Sequence, residues 1–452
     1  MPERPLQPDA PGLALQLARH AVQVDSATLS SATRAAVCRC VLDAIASAGA
    51  ALDQPGVQAA QQAAAVLHGA GCVPLWFTGR TASVGGALLA NSAATAALDL
   101  DDGYRIARGH PGAAVIPTVL ALAQALPQAT AGDLIAAVVA GYEVGVRLAA
   151  ARTSYAPSGA WSGFAVAAAA GRLLGTDAST LAQALAIAAQ TAPALPALAG
   201  LAGSDVKEGI PAGAASGWAA LQLALAGFTG PTAVLDDARL FNAPAALRGL
   251  GSTPLIEGTY FKPFGCCRHI HAPLQALLQL QAQHGFNASD VDGIEVYTYQ
   301  ATFNLSNRQR PDSLVEAQYS VPYCLALCLL HGADALVPLR AAHLADAQVG
   351  RLAQRTVVRH DAAIEPLFPA RSPARVAVVL ADGSRFESPL TDPRGDPDRP
   401  LSTAELERKL RVATRATLPP ARQQGVIDAV ARLHAGDARP LLAALMAPAG
   451  AS

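Results

Sequence analysis

The sequence contains little charge and no excess of one sign. Only 15% of the 452 residues are charged, and 33 lysine and arginine residues nearly balance 34 aspartate and glutamate residues. The chain therefore lacks the long-range positive field that attracts nucleic acids and anionic membranes. We expect neither as a partner, and we expect any anionic ligand to be bound by local charges.

The chain also lacks a cysteine pattern for disulfides or metals. Its seven cysteines are an odd number, and Cys38 and Cys40 have no second pair at zinc-ribbon spacing. We expect reduced thiols and no metal. No uninterrupted apolar run reaches the roughly 20 residues of a membrane span, and residues 1–10 carry prolines and charges instead of a signal peptide's apolar segment. These features predict a cytoplasmic location.

The sequence is rich in alanine and leucine, and these residues recur at helical spacing. Hydrophobic residues make up 52% of the chain, which is enough for a large core. From about residue 12 to residue 246, apolar residues recur at helical spacing between glycines and prolines. This part of the sequence predicts a bundle of helices.

The character of the sequence changes after Lys262. Residues 291–299 alternate polar and apolar side chains, and residues 375–386 contain a strand, an Asp-Gly turn and a second strand. These patterns predict a smaller α+β domain. We also predict one helix over residues 320–330 and a second over residues 338–351. Residues 391–400 are predicted to be a linker, and residues 403–446 a helical tail.

The densest polar cluster of the helical half lies between residues 99 and 112. It contains Asp99, Asp102, Arg105 and His110. One interpretation is a solvated loop whose carboxylates cap the next helix and pair with the neighbouring arginines. The other is a functional site in which an aspartate orients His110, and this histidine moves a proton near neutral pH.

A second cluster lies at the proposed domain boundary and contains Lys262, Arg268, His269 and His271. Cations at this position suit a carboxylate substrate, and ligand clefts often lie at domain boundaries. The histidines are equally compatible with a structural role at a helix end, where they interact with the helix dipole or with neighbouring carbonyl groups.

Lys207 is isolated in a long stretch almost without charge. The nearest other basic residues along the chain are Arg172 and Arg239. A lone lysine of this kind is commonly a surface residue. In an apolar wall, however, it would bind a carboxylate or donate a proton with an altered pKa.

Short motifs recur along the chain in a characteristic order and spacing. They lie at residues 98–102, 110–112, 116–117, 141–147, 167–175, 227–231, 262–271 and 318–323. Over nearly its whole length the chain resembles the MmgE/PrpD family. Each motif alone is weak, but the ordered set is specific.

The resemblance implies a mainly α fold of two domains. Residues 1–262 would form a large all-helical domain, completed by C-terminal helices within 401–452, and residues 263–400 would form a smaller α+β lid domain. The resemblance also implies a homodimer whose active site lies between the two domains and uses no metal or organic cofactor.

The activity implied is that of a lyase that transfers a proton next to a carboxylate of a small polycarboxylate. By this resemblance, the catalytic positions are Asp99, His110, Lys207, His271 and Tyr323. We expect the substrate to be bound by Arg105, Lys262, Arg268 and His269.

The sequence departs from the family pattern at two places. Ala156 stands where many members have an active-site histidine, and Gly103 stands where decarboxylases have a threonine, with one extra residue before His110. The substrate of a known family member therefore cannot simply be assigned to this chain. Two alternatives stay open: an epimerase or isomerase of a dicarboxylate, which needs no protonated leaving group, and a catalytically inactive relative that binds small anions.

Overall fold

Helices dominate the computed structural model, which describes residues 11–193 and 204–450. Helix accounts for 58% of the structure and strand for 8%. The prediction of a mainly α chain with a small sheet region is therefore confirmed.

The first part of the chain is a helical bundle around one apolar core. Its helices are α1 (Leu13–Gln23), α2 (Ser31–Ala50), α3 (Pro55–His68), α4 (Val84–Ala96), α5 (Gly112–Ala125), α6 (Ala131–Ala151), α7 (Gly159–Leu173), α8 (Ala178–Thr191), α9 (Ile210–Leu225) and α10 (Ala243–Leu247). One short hairpin, β1 (Val73–Leu75) with β2 (Arg80–Ala82), interrupts these helices. The loops before α5, α7 and α9 carry most of the polar side chains discussed below.

Helix α6 illustrates how the bundle is built. A capping box starts it, in which the Thr130 side chain accepts from the backbone N–H of Asp133 and the Asp133 side chain accepts from that of Thr130. By length and composition α6 is apolar enough to cross a membrane, but it is mostly buried against its neighbours. Its central Glu143 and Arg147 form a buried ion pair with 2.7 Å between Oε2 and Nε. These features are typical of a core helix.

The second part of the chain surrounds a four-stranded sheet. Its elements are α11 (Arg268–His284), β3 (Val291–Thr298), α12 (Leu314–Gln318), α13 (Val321–His331), α14 (Ala347–Ala353), β4 (Thr356–His360), β5 (Arg375–Leu380) and β6 (Arg385–Glu387). The strand order is β4-β3-β5-β6, with β3 parallel to β4 and antiparallel to β5. The predicted strand at 291–299, the hairpin at 375–386 and the helix at 320–330 are confirmed.

The helix predicted over residues 338–351 is wrong in its first half. A 3₁₀ turn, Ala341–His343, occupies part of this segment, and α14 begins only at Ala347. The side chain of Asp346 accepts hydrogen bonds from the backbone N–H groups of Gln348 and Val349, and it thereby fixes the start of the helix.

The helical tail contains α15 (Thr403–Ala413), α16 (Pro420–His434) and α17 (Arg439–Met446), and α15 and α16 pack against α2. Lys409 of α15 reaches into the bundle, where its Nζ lies 2.6 Å from Asp43 Oδ1 and donates to the backbone carbonyl of Leu100 at 2.6 Å. Both charged side chains are buried. The C-terminal helices are thus tied to the loop that follows α4.

Asp102 holds that loop against the bundle. Its Oδ1 accepts from the backbone N–H of Gly112 at 2.9 Å, and its Oδ2 accepts from the hydroxyl of Tyr142 at 2.5 Å. Burial and the nearby Asp43 raise the pKa of Asp102 to about 7, although both hydrogen bonds act in the opposite direction.

Loss of Lys409 should destabilise the protein strongly. Lys409→Ala leaves Asp43 buried without its cation, so we expect the free energy of unfolding to fall by roughly 3–5 kcal/mol in urea titrations. Arg408→Ala is the matched control, because Arg408 pairs with Asp334 on the surface and such pairs contribute about 0–1 kcal/mol. Equal losses in the two variants would contradict the proposed anchoring role.

Asp102 should make stability depend on pH. Its folded pKa of about 7 lies above the ordinary 3.8, so between these values the unfolded chain loses the proton first and folded stability falls as the pH rises. Each unit of pKa difference corresponds to about 1.4 kcal/mol. We expect the free energy of unfolding to fall from pH 5 to pH 8 by more in the wild type than in Asp102→Asn. An identical fall in the two proteins would refute this.

Candidate functional site

A buried carboxylate, Asp99, lies at the centre of the polar residues. It follows α4 with a positive φ of 53°, and its side chain is almost fully buried. Its Oδ1 is 2.8 Å from Lys207 Nζ and 2.9 Å from Lys262 Nζ. Burial alone would raise the pKa of Asp99, but the two lysines outweigh it and hold the pKa well below its usual range. Asp99 is therefore a permanent anion.

The two lysines are engaged with protein atoms. Lys207 Nζ also donates to the backbone carbonyl of Ala96 at 2.6 Å, and Lys262 is completely buried. Burial would lower the pKa of Lys262, but Asp99 and Asp101 raise it above its usual value. Two buried carboxylates, Asp99 and Asp101, therefore lie close to the lysine charges.

His110 has one fixed and one available ring nitrogen. Its Nδ1 lies 2.6 Å from the backbone carbonyl of Asp102. A carbonyl oxygen only accepts, so Nδ1 carries the proton and Nε2 of the neutral ring is an acceptor. Nε2 is 3.9 Å from Asp99 Oδ1 and 3.9 Å from Glu208 Oε1. Nε2 is therefore the ring nitrogen that is free to contact a ligand in the neighbouring space.

A cavity of about 250 Å³ lies beside His110, between the bundle and the second part of the chain. The bundle contributes Asp99, Arg105 and His110 to its wall, and Arg268 and His269 at the start of α11 line it from the other part. Both predicted polar clusters therefore meet at one cavity.

Two arginines and one aspartate form a charged wall. Arg105 Nη2 is 2.5 Å from Asp396 Oδ2, and Arg268 Nη2 is 3.0 Å from Asp396 Oδ1. The ring of Tyr260 lies beneath the arginines, 4.6 Å from the guanidinium carbon of Arg268. Because Asp396 neutralises only one of the two cations, the wall keeps one net positive charge.

Tyr260 also explains one departure from the family pattern. Gly103 and Tyr260 are joined by two backbone hydrogen bonds, and a Cβ at position 103 would lie 2.3 Å from the Tyr260 hydroxyl. A threonine does not fit there while the tyrosine occupies this position. A glycine at position 103 is therefore needed for Tyr260 to pack in this part of the wall, beside Arg268.

His269 belongs to an aromatic part of the wall. Its ring centroid lies 5.3 Å from that of Tyr299 and 5.6 Å from that of Phe368. Burial and the nearby Arg105 lower the pKa of His269 to about 4. The ring is therefore neutral at physiological pH.

Three predicted catalytic residues, Lys207, His271 and Tyr323, are not among the residues that line this cavity, and neither is the predicted substrate-binding Lys262. The two lysines lie behind Asp99. His271 Nε2 lies 3.0 Å from the carbonyl of Cys266, and burial lowers the pKa of the ring well below its usual value. Tyr323 is buried in α13, where burial and then Cys324 and Asp346 raise the pKa of its hydroxyl.

Sequence reasoning missed several residues of the wall, among them Tyr155, Glu208, Cys267, Tyr319 and Asp396. Tyr319 lies in the same motif as Tyr323, and Glu208 directly follows Lys207. Both residues therefore lie in motifs that the sequence analysis singled out, but the spacing of these motifs does not tell which side chain faces the cavity. Asp396 lies in the segment predicted to be a linker, which gave no signal.

Metal ligands are not grouped in the part of the chain that the structure describes: no three His, Cys, Asp or Glu side chains are arranged to hold an ion. The carboxylates of Asp99 and Asp396 each contact two cationic side chains instead.

Comparison with known proteins shows similarity along almost the whole chain. A cis-aconitate decarboxylase of Aspergillus terreus is 25% identical over 446 residues, which cover 90% of each chain. The cis-aconitate decarboxylase of Mus musculus is 27% identical over 72% of this chain and 70% of its own length. That of Homo sapiens is 28% identical over 72% and 71%, respectively.

Two family models also match, in the order in which the two parts of the structure follow each other. Residues 15–246, which span the helical bundle, match the MmgE/PrpD N-terminal domain. Residues 264–435, which include the sheet and part of the helical tail, match the MmgE/PrpD C-terminal domain. The chain therefore belongs to the MmgE/PrpD family.

Proposed function

We propose that the protein is a lyase that transfers a proton next to a carboxylate of a small polycarboxylate, with its own side chains and no cofactor. The observation that carries this proposal is the presence of His110 Nε2, an available proton acceptor, in the same cavity as the arginine wall. The first group suits proton transfer at carbon, and the second suits a ligand with carboxylate groups.

The reaction begins with binding of a substrate carboxylate to Arg268 and Arg105. His110 Nε2 then takes a proton from the carbon next to a carboxylate, and the electron pair moves into that carboxylate as an enediolate. The net positive charge of the arginine wall stabilises this developing negative charge, because the guanidinium groups are already fixed in place by Asp396.

The relatives support a polycarboxylate as the substrate class. The three decarboxylases described above act on cis-aconitate, a tricarboxylate, and they share 25–28% of their aligned residues with this chain. Elimination of water and loss of CO₂ both proceed through charge next to a carboxylate. We therefore propose the reaction class and leave the individual substrate to experiment.

A homodimer is part of the proposal, and light scattering of the purified chain tests it.

One experiment tests the reaction class. The protein is incubated in deuterated water with a panel of dicarboxylates and tricarboxylates, and the products are followed by NMR and mass spectrometry. A lyase removes water or CO₂ from its substrate. Stereoinversion with uptake of one solvent deuterium, and no other mass change, would establish the epimerase alternative instead. No turnover of any member of the panel would contradict an enzymatic role on polycarboxylates.

Arg268 should contribute to substrate binding. Arg268→Met removes a charge-assisted hydrogen bond, worth about 1.5–3 kcal/mol, so we expect KM to rise roughly 10- to 100-fold. The control is Arg239→Met, because Arg239 is exposed and pairs with Asp237 on the surface. We expect wild-type kinetics in the control. Wild-type KM in Arg268→Met would remove the arginine wall from the binding site.

His110 should be the general base. His110→Gln keeps a polar side chain but loses the titratable ring, and we expect kcat to fall by about 10²- to 10⁴-fold in steady-state assays. His271→Gln is the comparison variant because His271 lies outside the cavity, and we expect it to affect melting temperature more than kcat. If His271→Gln lost as much kcat with an unchanged melting temperature, the acid–base role would belong to His271.

A further inference from the structure

The turn that carries Lys207 has an unusual backbone. Lys207, Glu208 and Gly209 all have positive φ values, of 32°, 53° and 68°, in the 3₁₀ turn that precedes α9. Glycine adopts this conformation freely, but other residues in it are strained. Such strain is concentrated at functional sites, where the surrounding structure enforces it. The conformation directs Lys207 to Asp99 and lets Glu208 line the cavity.

The neighbouring helix holds the turn in place. The backbone carbonyl oxygens of Glu208 and Gly209 approach α7 so closely that a Cβ at Gly159 would lie 2.5 Å and 2.4 Å from them, respectively. Only glycine at position 159 allows this approach. The position of Glu208 is therefore set by helix packing and does not depend on a free loop.

The carboxylate of Glu208 is hydrogen-bonded through one oxygen within the described part of the chain. Its Oε2 accepts from the backbone N–H of Ser158 at 3.2 Å and from the Ser158 hydroxyl at 2.5 Å. The Ser158 hydroxyl in turn accepts from the backbone N–H of His110 at 3.0 Å. Oε1 lies 3.9 Å from His110 Nε2, and both residues line the cavity, so one ligand in the cavity is within reach of both groups.

Most other ionisable groups of the cavity cannot exchange a proton readily. Asp99 is held as an anion by two lysines, and the arginines stay protonated. Burial raises the pKa of the cavity's tyrosine hydroxyls and thiol, those of Tyr155, Tyr260, Tyr299, Tyr319 and Cys267. The undescribed residues 194–203 contain no ionisable side chain in the sequence. His269 also lines the cavity, but burial and Arg105 lower the pKa of its ring to about 4, and the ring packs beside Tyr299 and Phe368. His110 and Glu208 are the two cavity-lining groups whose ring nitrogen and carboxylate oxygen face each other, at 3.9 Å.

We propose that Glu208 is the second catalytic acid–base group of the cavity and works as a pair with His110. This inference rests on the proposed lyase function and deepens it. Ala156 stands where many family members have an active-site histidine, so this chain lacks an acid–base group there. The carboxylate of Glu208, on the turn before α9, supplies an acid–base group from another position.

The pair holds one proton at the start of the cycle. His110 Nε2 takes the proton from the substrate carbon, and Glu208 donates its proton to the departing hydroxyl group. The carbon–oxygen bond breaks, its electron pair leaves with the oxygen as water, and the former carbon–hydrogen pair forms the double bond. Transfer of the proton from His110 to Glu208 restores both groups. In a decarboxylation, CO₂ leaves, the electron pair stays on carbon, and Glu208 protonates that carbon. Solvent water then returns one proton to the Glu208 carboxylate, directly or through His110.

The test compares Glu208→Gln with Glu208→Gly, on the substrate that the wild-type enzyme converts. Glutamine keeps an oxygen for Ser158 but cannot transfer a proton, so we expect kcat to fall by about 10²- to 10⁴-fold while KM stays within about threefold. Glycine removes the carboxylate and relieves the strained φ, so its melting temperature should equal or exceed that of the wild type. Added formate should restore part of the turnover of Glu208→Gly.

Glu257→Gln is the control, because Glu257 lies outside this cavity and hydrogen-bonds to Thr33. We expect it to keep wild-type kcat. Wild-type kcat in Glu208→Gln, or a rise in KM alone, would overturn the catalytic role of Glu208 and leave the lyase function standing. If formate restored no turnover, the role of Glu208 would be structural, namely to hold Ser158 in place, and the catalytic role would be overturned. An inactive wild-type enzyme would overturn both proposals.

Discussion

The ion pairs of Asp99 with Lys207 and Lys262 are the constraint on which the site depends. Removing charges from water costs several kcal/mol for each ion, so none of the three groups is tolerable alone in this interior. The loop after α4, the turn before α9 and the segment before α11 must therefore take up their positions together. Of the three groups, Asp99 lines the cavity, and the two lysines fix it from behind.

The orientation of the histidine beside this cluster is a property of the bundle. The imidazole of His110 is fixed by a backbone carbonyl of the loop, and Asp102 and Tyr142 fasten that loop to α5 and α6. The ring of His110 is thus positioned by core packing, although it comes from a loop. Loops that are positioned by a rigid scaffold commonly carry functional residues in this way.

The sequence predicted the elements and the two polar clusters better than it predicted which side chains face each other. Helical spacing and strand alternation depend on neighbours along the chain, and they predicted a helical first half, the helix at residues 320–330, the helical tail and the strands β3, β5 and β6. The orientation of Glu208 has a different origin, because it depends on a strained turn packed against Gly159 of α7, a contact distant in sequence. Tyr319 and Tyr323 lie on either side of the helix cap Ser320, and their spacing alone does not tell which of them lines the cavity. The bounds of the two domains and the catalytic roles stay predictions.

Asp396 gives the arginine wall a property that matters before any ligand arrives. Two guanidinium groups from different parts of the chain would repel each other and sample many rotamers in an empty cavity. With the carboxylate between them, they are already held at one separation and one tilt. The loss of side-chain entropy therefore occurs during folding, and an incoming anion finds ordered donors. The Asp396 carboxylate thus orders the two arginines in the geometry that a second carboxylate would need.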